Sequence, residues 1–274
     1  MRPRSLLLSL VAAVLAACQV DPGPTAPPTP APADPVVLLE DIAVQNLPSP
    51  YYHFAYDASN RISAVSYASS LRRYDVAYDG DRIREMRNDA LGNRDRLSYS
   101  YDAQGRVSTV LYADSSGAVF TRISLSYDGP LLTGLRRIRN VDGVSVIDKT
   151  MAFAYYPDGN VLEVTEHLAA IAGRQDEATF VDRYEQYDDK TNVDGFSLIH
   201  DDFFDHLVLL PGVHLQKGNP ARVIRTGDGI NFSIDYRYVY DDQGRPLTKT
   251  GAFTLTNGAD AGRQFESSTV FSYY

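Results

Sequence analysis

The chain has 274 residues and a net charge of -9 at pH 7, from 26 basic and 35 acidic residues. That length suits one large domain or two ordinary ones, and all-β domains of more than about 200 residues are common. The negative charge argues against nucleic-acid binding and against attachment to anionic lipid through a basic patch. Tryptophan is absent whereas tyrosine occurs 19 times, so the aromatic surface comes mainly from rings with a polar tip.

The N-terminus has the pattern of a bacterial secretory signal. Residues 1–17 open with Arg2 and Arg4, continue with an apolar run too short to span a bilayer, and lead through LAA to Cys18. The sequence LAAC resembles the lipobox of bacterial lipoproteins, in which the cysteine becomes the lipidated first residue. Cys18 is the only cysteine in the chain, so we predict lipidation there. The alternative is an ordinary cleaved signal with a chance cysteine.

Residues 18–35 are predicted to be a tether between the lipidated cysteine and the folded domain. They contain DPGPTAPPTPAPADP, which is rich in proline and alanine and has no aromatic residue. At about 3.1 Å per residue, an extended tether of this composition holds a domain some tens of ångströms from the lipid. Gln19, rather than aspartate, follows Cys18, which by the sorting habit of enterobacterial lipoproteins implies the outer membrane of the cell envelope.

A short sequence recurs through residues 36–274, the predicted domain. RLSYSYDAQGRVSTVLY at 96–112 repeats much of HFAYDASNRISAVSY at 53–67. Apolar positions before each turn alternate, which predicts strands with one buried face. The aspartate and the following glycine, or Asn60 in the first copy, predict a hairpin turn. The copies are marked by Tyr56, Tyr78, Tyr101, Tyr127, Tyr156, Tyr187 and Tyr240.

The residues after each turn carry a different spacing. Ile62 and Val65, or Val107 and Val110, are three positions apart and cannot share a face of a regular strand. Either a β-bulge follows the turn or the first of each pair belongs to the turn itself. Because a single hairpin cannot bury its apolar face, the motif is repeated until neighbouring hairpins cover one another.

These features predict an all-β fold: a single curved antiparallel meander of about fifteen strands, an open or loosely closed half-barrel. The motif at Tyr101 to Val107 resembles the tyrosine-aspartate (YD) repeats of Rhs and teneurin shells. The domain also resembles bacterial envelope lipoproteins of unknown function that are described as having a porin-like fold. That likeness rests on the lipobox, the degenerate hairpins, YDDKTN at 187–192 and NPARV at 219–223. It implies a fold and a location, and no reaction.

An excursion at residues 191–218 interrupts the strand pattern. Apolar residues between Ser197 and Pro211 fall at helical spacing, which predicts one short helix. His200, Asp202 and His206 within it are candidate metal ligands, but the two histidines are six positions apart, whereas metal-binding histidines on one helical face are three or four apart. Lys190 would be the first ligand of a calcium loop, which excludes an EF-hand. Calcium bridging acidic turns such as Asp79-Gly80-Asp81 is a further possibility, but turn formation accounts for those residues. We therefore predict no metal site.

No catalytic residue and no cofactor are predicted. The chain lacks a nucleophile elbow, a zinc-protease helix, a phosphate-binding loop and a Ser-Lys pair. We predict a non-enzymatic binding or scaffold module anchored in the outer membrane. It binds either a glycan or peptide in the concave face of the sheet or a partner protein through an exposed edge strand. The rival is an envelope polysaccharide hydrolase, which requires two opposed carboxylates about 5 to 10 Å apart.

Tyrosine rings form the predicted stacking surface for a ligand. Rings stack on the faces of sugars, and acidic groups at the rim accept bonds from hydroxyls. The alternative is that these tyrosines only pack between strands and bond the turns. The residues in question are Tyr99, Tyr101, Tyr127, Tyr236, Tyr238 and Tyr240.

Overall fold

The computed structural model describes residues 37–88, 94–193 and 207–274, and the backbone of residues 199–200. Strands and turns make up these ranges, in which no helix occurs. The strands within them are β1 Leu39–Val44, β2 Tyr52–Tyr56, β3 Ile62–Tyr67, β4 Arg72–Asp79, β5 Arg82–Arg87, β6 Arg96–Tyr101, β7 Val107–Ala113, β8 Val119–Asp128, β9 Leu131–Val141, β10 Val144–Tyr155, β11 Val161–Leu168, β12 Ala178–Tyr187, β13 Ile199–His200, β14 Leu207–Val208, β15 Pro220–Gly227, β16 Phe232–Tyr240, β17 Pro246–Leu255 and β18 Gln264–Tyr273.

Sixteen of these strands form one closed antiparallel barrel. Each strand pairs with its neighbour in sequence, β12 pairs with β15 across the excursion, and β1 closes the barrel against β18, with Ile42 opposite Phe271. The predicted open or loosely closed half-barrel of about fifteen strands is therefore wrong. Closure pairs the two terminal strands, whose backbone groups would otherwise form free edges. It also removes from the main sheet the exposed edge on which the predicted strand-adding partner depended.

The predicted helix between Ser197 and Pro211 is also wrong. β13 and β14 pair antiparallel as a separate two-stranded sheet, while residues 194–198 and 201–206 lie outside the described residues. The side chains from Leu207 to Leu210 are all buried, with exposures between 0% and 2%. They pack in one cluster with side chains of the barrel wall. Consecutive apolar residues arise here because the segment is enclosed on all sides, and such a run also satisfies a helical spacing.

The inward face of strands β1 to β9 forms the densest part of the core. Tyr74, Leu97 and Tyr112 are at most 1% exposed and belong to the same cluster as Leu207 to Leu210. Arg73 and Asp75, which flank Tyr74 on the other face of β4, are exposed. The alternation therefore points apolar side chains into the lumen and charged side chains outward.

The aspartate of the repeated motif organises its turn through both carboxylate oxygens. Asp102 Oδ1 accepts the backbone N–H groups of Gln104 and Arg106, each at 2.9 Å, and Oδ2 accepts the Arg106 Nε–H at 2.7 Å. Equivalent bonds form at Asp57, where the backbone N–H of Arg61 and then its guanidinium hold the pKa of the carboxyl below its usual range. Each turn is thus fixed by side-chain bonds to its own backbone.

The backbone conformation explains the remaining residues of the motif. Gly105 has a φ of 82° and Asn60 a φ of 59°, which confirms asparagine as the substitute for glycine in the first turn. The register shifts between Ser100 and Tyr101, opposite the residue that follows Val107. This shift confirms the first of the two alternatives, a β-bulge after the turn. It lets Val107 and Val110, at 2% and 0% exposure, both face the core.

Tyrosine hydroxyls form a ring of hydrogen bonds around one end of the barrel. We call this end the YD rim. Each tyrosine donates to the backbone carbonyl of a residue near the start of a neighbouring odd-numbered strand. Within the described chain the donors and acceptors are Tyr56 to Leu39, Tyr78 to Ile62, Tyr101 to Ile83, Tyr127 to Val107, Tyr155 to Leu132, Tyr187 to Val161, Tyr238 to Pro220 and Tyr273 to Pro246, at 2.6–3.0 Å. Burial raises the pKa of Tyr78, Tyr127 and Tyr155 to about 12, so these hydroxyls stay protonated donors at neutral pH.

The motif arginines link one turn to the next tyrosine. The guanidinium carbon of Arg61 lies 4.3 Å from the centre of the Tyr78 ring, and that of Arg106 lies 4.6 Å from Tyr127. Each arginine therefore pairs with the aspartate of its own turn and covers the tyrosine of the following hairpin. Repetition of the sequence builds most of this ring, because five of the seven tyrosines that mark the copies donate in it. Tyr155, Tyr238 and Tyr273 supply the other three hydroxyls.

Candidate binding site in the barrel lumen

Three of the predicted stacking tyrosines lie in the densely packed half of the barrel. Tyr99 is 9% exposed and directs its hydroxyl to Met86 Sδ at 3.0 Å. Tyr101 and Tyr127 are half-buried members of the YD rim, with hydroxyls bonded to backbone carbonyls and rings covered by Arg82 and Arg106. The structure therefore places these rings against protein on several sides.

The other three tyrosines form a column on the lumenal face of β16. The ring centres of Tyr236 and Tyr238 are 6.2 Å apart, and those of Tyr238 and Tyr240 are 5.8 Å apart and stacked. Gly251 lies opposite Tyr236, where a Cβ would come within 2.9 Å of its ring. Glycine is needed there because the tyrosine covers the β17 backbone directly. All three rings are half-buried, and Tyr240 donates its hydroxyl to Asp188.

Both ends of the excursion are clamped at the YD rim. Asn160 Oδ1 accepts the backbone N–H of Gly218 at 3.0 Å, and Asn192 Nδ2 donates to the Gly218 carbonyl at 2.9 Å. Asp188 Oδ1 accepts the backbone N–H of Asn219 at 2.8 Å. The segments YDDKTN and NP, which stood out in the sequence, thus serve to hold the excursion where it leaves and rejoins the wall. From there Leu207 to Leu210 reach the core of the lumen.

A cluster of four phenylalanines lies at the opposite end of the barrel, on the strands from β12 to β18. We call Phe180, Phe232, Phe253 and Phe265 the mouth cluster. Phe253 and Phe265 stack with ring centres 4.7 Å apart and planes 11° apart, and Phe232 lies 5.8 Å from Phe253. Phe265 is 48% exposed, and the other three are partly exposed.

Cross-strand pairing shows that the mouth cluster faces the lumen. Opposite residues in an antiparallel ladder share a face. Phe253 lies opposite both Phe265 and the buried Ile234. Phe232 lies two positions before Ile234 on the same strand and therefore on the same face. The rings are at the strand ends farthest from the YD rim, so they line the mouth of the barrel there.

An ion pair sits among the phenylalanine rings. Arg225 donates Nε–H to Asp182 Oδ1 at 2.7 Å and Nη2–H to Oδ2. Its guanidinium carbon lies 5.6 Å from the centre of the Phe180 ring and 5.4 Å from that of Phe232. The Asp182 side chain is 16% exposed and that of Arg225 is 32% exposed. The hydrogen bond to Asp182 raises the pKa of Arg225, which keeps the guanidinium charged. The mouth therefore combines open aromatic surface with fixed donors and acceptors.

A second set of lumenal charges lies on β9, β10 and β11. Asp148, with 0% exposure, accepts bonds from Arg137 at 3.0 and 3.1 Å and pairs with Arg139 at 3.0 Å. Lys149 pairs with Glu166 at 2.7 Å. Asp148 lies at a register shift of the β9–β10 ladder. The alternating pattern predicted an apolar inward face, whereas these pairs put charge on it.

The mouth cluster was missed in the sequence analysis. Each phenylalanine occupies an ordinary inward position of a strand and has no motif around it. A signal exists in hindsight: Phe232, Phe253 and Phe265 all stand near strand ends away from the YD turns. Strand pairing across the sheet is required to bring them together.

Among the residues that the structure describes, no three His, Cys, Asp or Glu side chains are grouped so as to hold a metal ion. The predicted exclusion of His200, Asp202 and His206 as ligands concerns side chains outside the described residues. No helix in the described ranges is long and apolar enough to cross a membrane.

Comparison with known proteins shows the fold. A porin-like protein from Bacteroides vulgatus matches with a TM-score of 0.57 and 13% identity, over 86% of this chain and 99% of that chain. A porin-like protein from Bacteroides uniformis matches with a TM-score of 0.55 and 10% identity, over 81% and 89%. No protein-family model matches the chain. No curated protein matches it in sequence. The chain thus shares a porin-like barrel fold with these proteins.

Proposed function

We propose that the protein is a lipid-anchored binding module of the bacterial cell envelope that takes its ligand at the mouth cluster and performs no catalysis. The observation that carries the proposal is the open stack of Phe253 and Phe265 in the same mouth as the Asp182–Arg225 pair, with Phe232 between the stack and the pair. Soluble proteins usually bury rings of this size, and contiguous exposed apolar surface marks interaction sites. A concave site with aromatic walls and few polar groups is the ordinary form of a binding pocket.

The charged outer face of the barrel supports a domain whose outer surface is in contact with water and not with lipid. Arg73 and Asp75 form an exposed ion pair at 3.0 Å on β4, and Arg237 and Glu266 form another at 3.9 Å on β16 and β18. An arginine on the lipid face of a barrel costs about 2–4 kcal/mol at the bilayer midplane. We therefore assign membrane attachment to Cys18 and its tether.

Cells grown with a labelled fatty acid are expected to incorporate the label into this protein through Cys18. The variant Cys18→Ser is expected to carry no label and to leave the membrane fraction, because no other cysteine is present to accept an acyl chain. Gln19→Ala is the matched control and is expected to stay labelled. Label that persists in Cys18→Ser would refute the anchor.

Nile red, a neutral dye, tests the mouth without assuming a ligand class. We expect the fluorescence of the dye to rise when it binds the wild-type barrel. In Phe265→Ala we expect the affinity for the dye to be about tenfold weaker, because about half of that side chain is exposed. Val239→Ala, which removes an exposed side chain from the outer face at 59% exposure, is the control. Equal dye binding by all three proteins would exclude the mouth as the binding site.

A further inference from the structure

We infer that the mouth cluster binds a neutral saccharide, an inference that rests on the proposed function. The stack of Phe253 and Phe265 leaves one ring face uncovered. One face of the Phe265 ring is covered by Phe253 at 4.7 Å, yet the side chain is 48% exposed. The uncovered face can therefore receive a flat ligand that continues the stack. A pyranose ring, with its C–H groups on one face and hydroxyls around its edge, has that shape.

The polar groups of the mouth lie across Phe232 from the stack, because Phe232 contacts both Phe253 and Arg225. An oligosaccharide, rather than a single sugar ring, can therefore reach both the stack and the ion pair. Arg225 uses Nε and Nη2 to bind Asp182, and its Nη1 takes no part in that pair. Each carboxylate oxygen of Asp182 can accept more than one hydrogen bond. The pair thus offers a donor and acceptors in fixed positions. A sugar hydroxyl both donates and accepts, so it can bond to either partner.

A purely apolar ligand is disfavoured at the mouth relative to one that carries hydroxyls. The apolar ligand would cover the Phe232 and Phe253 rings and strip water from the neighbouring Arg225–Asp182 pair without replacing its hydrogen bonds. Uncompensated desolvation of charged groups opposes binding. A hydroxyl-bearing ligand replaces the water and avoids this cost.

A polyanion is disfavoured by charge. At the mouth Arg225 is matched by Asp182, so this pair carries no excess positive charge. The whole chain has a net charge of -9. A negative protein repels acidic glycans and nucleic acids at long range, more strongly at low salt. Neutral saccharides escape this repulsion.

Titration calorimetry on the full-length lipidated protein in detergent tests the inference. The probes are neutral hexasaccharides of glucose, mannose, galactose and N-acetylglucosamine, with hexagalacturonate as the acidic counterpart. We expect at least one neutral hexasaccharide to bind. Phe265→Ala is expected to weaken it roughly tenfold, and Phe265→Tyr, which keeps the ring, roughly twofold or less. Asp182→Asn is expected to weaken it while the dye still binds, because the amide changes the hydrogen bonds but not the rings.

Each other result contradicts the inference in a distinct way. Nile red binding at the mouth without any saccharide binding would refute the saccharide as the ligand but not the mouth as the binding site. Loss of both would overturn the proposed function as well. Tighter binding of hexagalacturonate than of the neutral sugars would overturn the choice of a neutral ligand. Saccharide binding that is unchanged in Phe265→Ala and Asp182→Asn would move the site elsewhere.

Discussion

Cysteines placed at Ala43 and Val270, in a chain that also carries Cys18→Ser, are expected to form a disulfide across the seam of the barrel. The two positions lie directly opposite each other on β1 and β18. Paired residues in an antiparallel ladder have Cα atoms about 4.5–5.5 Å apart, within the range that a disulfide spans. The bond would close a loop of more than 200 residues, and chain entropy then predicts up to about 5 kcal/mol of added unfolding free energy.

Urea unfolding under oxidising and reducing conditions measures this effect. Both side chains point outward, because their neighbours Ile42 and Phe271 are buried in the core cluster. The control pair is Ala43→Cys with Ala152→Cys, in which the second cysteine is exposed on β10, far around the barrel. That pair is expected to stay reduced and to leave stability unchanged. Thiols at 43 and 270 that fail to join would mean that the sheet is open.

Closure was the largest feature that the sequence left unpredicted. Alternation and turn chemistry were sufficient to predict the strands and the turns, and they left the bulge as one of two alternatives, since these features depend on neighbours in the chain. Pairing of β1 with β18 depends on residues more than 200 positions apart. A local clue was present, however: Tyr273 ends the last strand in the role that Tyr101 has within the repeat. The Tyr273 hydroxyl donates to the Pro246 carbonyl, which links β18 to β17. On the other side of the seam, the Tyr56 hydroxyl donates to the Leu39 carbonyl, which links β2 to β1.

The tyrosines show why a residue type alone does not assign a role. The sequence left two roles open, stacking on a ligand or bonding the turns. Tyr101, Tyr127 and Tyr238 are members of the YD rim, and their hydroxyls are bonded to backbone carbonyls. Tyr156, the tyrosine of the fifth copy, instead bonds to the Tyr184 carbonyl, while its neighbour Tyr155 completes the ring. Regular alternation from the buried Phe153 places Tyr155 inward. Tyr156 takes the turn position that Asp102 has in the third copy, since its N–H bonds to the Asn160 carbonyl as that of Asp102 bonds to Arg106.

The charged residues of the lumen were unpredictable for a related reason. An arginine, an aspartate or a lysine in an alternating strand is ordinarily taken for the solvent face. Arg137, Asp148 and Lys149 are nonetheless 0–4% exposed. A register shift between Ile147 and Lys149 turns the strand at that point and brings Asp148 against Arg137. Only the paired sheet reveals that Asp148 pairs with Arg137 and Arg139, and Lys149 with Glu166, inside the wall.

Asp148→Ala is expected to lower the free energy of unfolding by about 3–5 kcal/mol, as measured by urea denaturation. The change leaves Arg137, at 3% exposure, and Arg139 without the carboxylate that lies within 3.1 Å of both. Removing one partner of a buried ion pair costs more than the pair itself contributes, because the remaining charge stays desolvated. Asp75→Ala, which removes one partner of the exposed pair with Arg73, is the matched control and is expected to cost less than about 1 kcal/mol.

A double variant separates charge from packing at the same site. Replacing Arg137 by methionine and Asp148 by leucine removes both charges and keeps much of the side-chain volume, so most of the loss in Asp148→Ala is expected to be recovered. If the double variant were instead less stable than Asp148→Ala, shape rather than desolvation would govern this site. A loss of less than about 1 kcal/mol in Asp148→Ala itself would mean that water reaches the carboxylate and that the lumenal wall is open there.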